Sequence, residues 1–335
     1  RSSSGYFKNQ GVDVMAFDDI YPEGHQGGVC IIMNGHRVAT NGDIRLEATP
    51  GQWQPVPKQL DRKLGDNSIT ATLCYPDSSR HLTGFNPMIY PDLHLIYTVN
   101  VESKGKNIEV TVDLDRPIPQ EFIGKVGFNL EFFPGSLFGK PWIMDGQSGI
   151  FPQQPNSPLM TTQPNYLHTG NYHDGKKSLA DMDKLIGKGY SPIVADDIIS
   201  EPYAKGTKFT SRPDDPYNKV TIESLSGDLQ LFDGRMNHNN GWFVLRSNIK
   251  PGVTKGAVKW IITPNVVADW MYQPVIQTSQ IGYHPTQDKE AVIEMDIRDN
   301  RKETAQIIRI DADGEKVVKN VTPANWGKFL RYNYL

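Results

Sequence analysis

Apolar and polar positions alternate strictly along Leu93–Asp115. Leu93, Leu95, Tyr97, Val99 and Val101 fall on one side, and after Ser103-Lys104-Gly105-Lys106 the series resumes as Ile108, Val110, Val112 and Leu114. Strand side chains point to opposite faces with period two, whereas a helix repeats every 3.6 residues. The pattern therefore predicts an antiparallel hairpin with one buried face. Ile69, Ala71, Leu73 and Tyr75 show the same alternation against Ser68, Thr70, Thr72 and Cys74. Shorter runs at Phe128–Phe132, Val220–Ile222, Leu229–Leu231, Trp242–Leu245 and Val258–Ile262 continue it. Val29–Met33 and His36–Ala39 flank Asn34-Gly35, the pairing a tight primed turn prefers, and Asn41-Gly42 is expected to turn the chain again before Ile44. This is an all-β pattern of the kind that builds a large antiparallel β-sandwich.

The pattern lapses over 147–215, where Pro, Asn, Gly and Asp dominate. This reads as a long irregular excursion with one short helix on Leu179, Met182, Leu185 and Ile186, capped by Ser178 and ended by Gly187 and Gly189. Loops of that length are commonly functional or mobile. Trp270-Met271-Tyr272-Gln273-Pro274 marks a boundary, giving a large domain at 1–272 and a smaller β domain at 273–335. In the latter, Ala291–Met295, Thr304–Ile310 and Glu315–Val318 read as strands, Asp311-Ala312-Asp313-Gly314 as a hairpin turn, and Leu330, Tyr332 and Tyr334 as one last alternating strand.

With 335 residues, 38% apolar and 22% charged, the chain can bury a sizeable core. A net charge of −3 leaves no basic footprint for nucleic acid, and no apolar run approaches the roughly 20 residues of a membrane-spanning helix. Arg1-Ser2-Ser3-Ser4-Gly5 reads as the lead-in of a processed or engineered fragment. Cys30 and Cys74 lie in apolar strand-like runs and are expected as buried free thiols.

Gln280-Ile281-Gly282-Tyr283-His284-Pro285, followed by Lys289-Glu290-Ala291-Val292-Ile293, resembles the opening of the N-terminal immunoglobulin-like domain of glycoside hydrolase family 9, the cellulase-type β-glucan hydrolases. Segments farther upstream are similar to the long N-terminal β region of some bacterial members. Among them are Gly42-Asp43-Ile44-Arg45-Leu46-Glu47, Pro50-Gly51-Gln52-Trp53-Gln54-Pro55 and Gly124-Lys125-Val126-Gly127-Phe128-Asn129-Leu130-Glu131. His238-Asn239-Asn240-Gly241-Trp242-Phe243 and Gly256-Ala257-Val258-Lys259-Trp260 complete that set. The resemblance implies a secreted, periplasmic or cell-surface bacterial enzyme that inverts at the anomeric centre. Such enzymes carry an acid and a base roughly 6.5–9.5 Å apart on a helical toroid. The family's Asp-Ala-Gly-Asp type segment and its amphipathic helices have no counterpart here, so no residue takes the acid or base role. The resemblance thus implies the accessory portion of such an enzyme, with the catalytic domain and a poly- or oligosaccharide as partners. The immunoglobulin-like domain is expected to be incomplete at Leu335, since such sandwiches run to about 100 residues.

Sugar rings present apolar C–H faces, so sugar sites pair an aromatic platform with planar hydrogen bonders. Arg235, Asn237, His238, Asn239 and Trp242 concentrate those types in one segment, which also reads as a polar hairpin loop before a core tryptophan. Trp53 fits an exposed platform or a packed loop anchor. The acid pairs Asp18-Asp19, Asp196-Asp197 and Asp214-Asp215 offer oxygens for a structural calcium but lack its spaced loop pattern, and solvated turns account for them. His168, His173 and Asp174 match no zinc spacing. No nucleophile elbow, phosphate loop or dinucleotide fingerprint occurs. Two other readings stay open on these residues. One is a stand-alone carbohydrate-binding module. The other is a sugar enzyme in 1–272 built on a mutarotase-like supersandwich.

Overall fold

The computed structural model describes residues 5–18, 27–47, 50, 57–75, 93–155, 201–236 and 241–335. The chain divides into two compact units, Arg1–Val267 and Ala268–Leu335. In the first unit the described strands are β1 (Phe7–Asn9), β2 (Val12–Ala16), β3 (Val29–Met33), β4 (His36–Leu46), β5 (Lys58–Leu64), β6 (Ser68–Tyr75), β7 (Leu95–Lys104), β8 (Asn107–Leu114) and β9 (Val126–Phe132). They continue as β10 (Pro141–Met144), β11 (Gln147–Ile150), β12 (Ala204–Gly206), β13 (Lys208–Ser211), β14 (Val220–Ser224), β15 (Leu229–Asp233), β16 (Phe243–Asn248) and β17 (Val258–Pro264). One sheet runs β1-β2-β3-β4-β9-β16-β15-β12 and the other β11-β10-β13-β14-β17-β8-β7-β6-β5. Every pairing between these strands is antiparallel, including β4–β9, β9–β16, β17–β8 and β7–β8.

The sheets stack face to face. Phe128 of β9 meets Trp260 of β17 edge-on with centroids 5.0 Å apart, and Phe132 meets Phe209 of β13 at 5.8 Å. Edge-to-face geometry suits the aromatic quadrupole. The alternation on β6 and β8 turns Ile69, Ala71, Leu73, Tyr75, Val110 and Val112 into this core, while the intervening residues stay half-exposed. Ile69, Leu73, Val110 and Val112 each contribute about 1.5–3 kcal/mol on burial. Cys74 belongs to the outward set and is half-buried rather than buried; Cys30 is buried, and both are free thiols.

The other sheet differs, because all of β9 and nearly all of β4 and β16 are buried on both faces. Even-numbered β9 residues supply the apolar core. Odd-numbered Asn129 and Glu131 must point the other way, so that second face is polar and yet covered.

Two local expectations change. Asn34 and Gly35 both have positive φ, at 52° and 84°, as a primed hairpin turn requires. Asn41-Gly42, however, makes no turn. It is a bulge inside β4, with Asn41 at φ 55° and the register against β9 shifting between Thr40 and Asp43. Gly42 is needed there because a Cβ would stand 2.6 Å from that of Val29. The 147–215 stretch contains strands β11, β12 and β13 at its two ends, each only three or four residues long. Such short edge strands carry too little alternation to be read. The helix expected at 178–189 lies outside the described residues, and among these no helix is long and apolar enough to cross a membrane.

In the second unit, β18 (Val275–Gln277), β19 (Val292–Asp296), β22 (Gly327–Phe329) and β23 (Tyr332–Tyr334) form a sheet in the order β18-β19-β23-β22. The hairpin β20 (Ala305–Asp311) and β21 (Gly314–Val321) forms a second sheet. Leu330 does not extend the last strand. It sits at φ 51° in the tight turn that pairs Phe329 with Tyr332. Among the apolar side chains of this unit only Met295 is fully buried, while Ile276, Ile281, Ile310, Trp326, Phe329 and Leu330 are exposed.

Candidate functional site

Among the described residues the covered polar face of β4, β9 and β16 gathers five buried charges of the first unit, Asp43, Arg45, Glu47, Glu131 and Arg246; Asp13, Lys125 and Asp233 are buried as well. Register explains the gathering. Asp43 on β4 and Arg246 on β16 both oppose Asn129 on β9, and Thr40 and Val244 both oppose Glu131.

Arg246 closes one end. Its Nε donates to Asn248 Oδ1 at 2.8 Å, and Nη1 to Glu47 Oε1 at 3.1 Å and Asn129 Oδ1 at 3.0 Å. Nη2 donates to the carbonyls of Glu47 at 3.0 Å and Lys125 at 2.9 Å. All five guanidinium N–H groups are thereby satisfied. Asn129 Nδ2 also donates to Glu47 Oε1 at 2.5 Å. Gly127 makes room, since a Cβ there would lie 2.8 Å from Arg246 Nε.

The other end is less saturated. Asn41 Nδ2 donates to Glu131 Oε2 at 2.6 Å, but Asn41 Oδ1 is buried with no hydrogen-bond partner. Tyr97 of β7 donates to Asp43 Oδ1 at 2.8 Å, and so does the Ile44 N–H at 2.7 Å. Asp43 Oδ2 accepts no hydrogen bond and stands 3.8 Å from Arg45 Nη1. Burial pushes the Asp43 carboxyl up to about 6, against the pull of Arg45, the Tyr97 hydroxyl and the Ile44 amide. Burial opposes the Arg45 charge, yet Asp43, Glu131 and Glu47 outweigh it and raise its pKa. Burial likewise drives the Tyr97 hydroxyl well up, with the Asp43 charge adding to it. Chemically this end can hold or release one proton near pH 6, a property active sites and structural ion networks share.

The residues singled out from the sequence fall elsewhere. Arg235 is committed to the fold: Nε and Nη2 donate to the two oxygens of buried Asp233 at 2.9 and 2.8 Å. Its Nη1 and Nη2 also donate to the carbonyls of Gln153 and Pro152, both at 2.8 Å. Its guanidinium lies 5.0 Å from the Phe138 ring centroid and 4.5 Å from that of Phe243. Trp242 packs edge-on against Phe133 at 4.4 Å and is half-buried. Asn237, His238, Asn239 and Trp53 lie outside the described residues. Among the described residues no group of three His, Cys, Asp or Glu is placed to hold a metal. Asp215 is used by Arg212, the Tyr217 amide and Asn218 in a turn. Sequence reasoning passed over Asp43, Arg45, Glu47, Glu131 and Arg246, although alternating charge inside otherwise apolar strands was a usable signal.

No protein-family model and no curated protein matches the chain. Among solved structures it is similar to a galactose mutarotase-like protein from Lactobacillus casei ATCC 334, with 12% identity, TM-score 0.35, and coverage of 77% of this chain and 98% of that one. The Slr1438 protein from Synechocystis sp. PCC 6803 gives 9%, 0.33, 77% and 95% in the same order. Heparan sulfate lyase HepC from Pedobacter heparinus gives 11%, 0.29, 95% and 41%. At such identities and scores these likenesses assign neither ancestry nor activity to the chain.

Proposed function

We propose that this chain is the non-catalytic N-terminal portion of a family 9 type glycoside hydrolase acting on β-glucan-type polysaccharide outside the cytoplasm. In this reading it supports a separate catalytic domain. The observation that carries the proposal is the Gln280–Pro285 motif at the opening of the small second unit. The motif lies between β18 and β19 as an ordered turn. Gly282 adopts φ 80°, which favours a residue without Cβ. The Tyr283 hydroxyl accepts the Ser279 N–H at 3.1 Å and donates to the Glu290 carbonyl. The exposed apolar side chains of this unit support a role beside a larger partner, since a unit with one fully buried apolar side chain has little core of its own. Sequencing the gene past the codon for Leu335 tests the proposal. A downstream helical domain with a paired aspartate base and glutamate acid is expected, and a stop codon or an unrelated domain would overturn it.

A second reading has one observation in its favour. The large antiparallel two-sheet sandwich of the first unit suits a mutarotase-like sugar enzyme in 1–272. Polarimetry of α-glucose and α-galactose with the protein tests this, and an unaccelerated rotation removes it.

A further inference from the structure

Arg45 and Arg246 share the covered polar face but are used differently. Arg246 satisfies all of its N–H groups with side-chain and carbonyl oxygens. Arg45 is buried too, yet among the described residues its guanidinium makes a single hydrogen bond, from Nη1 to the Ile44 carbonyl at 3.3 Å. Its Nη1 stands 3.8 Å from Asp43 Oδ2, beyond hydrogen-bond range, and that oxygen accepts from no group. Asn41 Oδ1, two residues earlier on the same bulge, is a second buried acceptor without a donor. The side chains themselves are held in place, Asn41 Nδ2 on Glu131, and Asp43 Oδ1 by the Tyr97 hydroxyl and the Ile44 amide.

The geometry points to a binding site for one ordered internal water at the β4 bulge, bridging Arg45 to Asp43 and directing its second hydrogen to Asn41 Oδ1. Buried polar atoms are nearly always hydrogen-bonded, and those without a protein partner mark a water or an ion. A donor and an acceptor held more than 3.5 Å apart call for a bridging water. Its oxygen takes an Arg45 N–H, and its two hydrogens serve the two free acceptors. That makes about three partners, the usual complement of an internal water. Charge selects water over an ion. A cation would sit against the Arg45 guanidinium, and an anion against Asp43 and against Glu131, which Asn41 Nδ2 meets at 2.6 Å. What remains is a neutral group that both accepts and donates, which is a hydroxyl. Asn41, Asp43 and Arg45 are each at most 6% exposed, and such burial favours the smallest molecule that carries one. Through this water the buried Asp43 carboxyl gains a proton-exchanging neighbour.

Crystal structures of the full chain, at a resolution that shows ordered water, test the site in crystals soaked in sodium chloride and in rubidium bromide. A single spherical peak is expected about 2.5–3.2 Å from Arg45 Nη1, Asp43 Oδ2 and Asn41 Oδ1, with no anomalous signal after the rubidium bromide soak. In solution, deuteron relaxation dispersion counts long-lived internal waters. Asp43→Leu, confirmed as folded by its melting curve, is expected to lose one of them. A direct Arg45–Asp43 pair with no density between overturns the inference, as does an unchanged water count in folded Asp43→Leu. An anomalous peak also overturns it by making the occupant an ion, and density larger than one atom does so by making it an organic ligand. None of these outcomes bears on the downstream gene content that decides the family 9 proposal.

Discussion

Replacing Arg246 by methionine tests whether the covered polar face is held by its ion pair. The side chain is buried beside Glu47, which is also buried, and satisfies five acceptors. Methionine preserves most of the volume, so little of the effect comes from a cavity. What remains is a buried carboxylate without its arginine and the Glu47 carbonyl without this donor, whereas the Lys125 carbonyl still accepts the Glu47 N–H at 2.8 Å. Removing one partner of a buried pair costs about 3–5 kcal/mol, and each stranded acceptor about 1–3 kcal/mol when water cannot reach it. Because Asn129 still donates to Glu47, the lower part of the combined range applies, about 4 kcal/mol. Urea unfolding reports it, followed by the fluorescence of Trp260. This tryptophan is buried in the same unit and donates to Ser247 at 3.0 Å, next to Arg246. The midpoint should fall with an unchanged slope. Adding Glu47→Gln should recover about 1–2 kcal/mol, because the uncompensated charge is then gone. A loss below about 1 kcal/mol for Arg246→Met, or no recovery in the double variant, would refute the reasoning.

Two further outcomes are expected. The Asp43 carboxyl is raised from 3.8 to about 6 in the folded state, so its stabilising contribution is present in full below 3.8 and is lost as pH rises to about 6. At about 1.4 kcal/mol per pH unit this amounts to roughly 3 kcal/mol, and Asp43→Asn should flatten the stability profile between pH 4 and 6; an unchanged profile would place the titration elsewhere. Gly127→Ala puts a methyl group 2.8 Å from both Arg246 Nε and the Ser247 carbonyl and should cost about 1–3 kcal/mol by thermal unfolding, with a neutral result showing that the clamp gives way.

Much of the fold was legible because one sheet obeys a single rule. On β6, β7 and β8 the alternating apolar positions are inward and their neighbours outward, with exposed Ile96 the exception, so period two identified strands and core together. The same rule misled where polar residues are buried. On β4 and β9, Asp43, Arg45, Asn129 and Glu131 look like a solvent face, yet the sheet is covered on both sides. A sequence pattern distinguishes polar from apolar but not dry from wet. Asn41-Gly42 carried turn chemistry that the neighbouring strands converted into a bulge, because β4 continues its pairing with β9 on either side. The Arg235 segment was read by residue type alone. Which acceptors lie near its guanidinium depends on Asp233, Pro152 and Gln153, the last two about 80 residues away in sequence. An aromatic series in the second unit was equally hidden. Tyr272, Tyr332 and Trp326 come together only through the pairing of β19 with β23 and of β23 with β22.

The central claim, that the chain is the accessory portion of a β-glucan hydrolase and performs no hydrolysis itself, is tested most directly by a reducing-end assay on soluble mixed-linkage β-glucan. The purified 335-residue chain is expected to release no new reducing ends above a heat-treated control. Steady turnover that persists through repurification would contradict it.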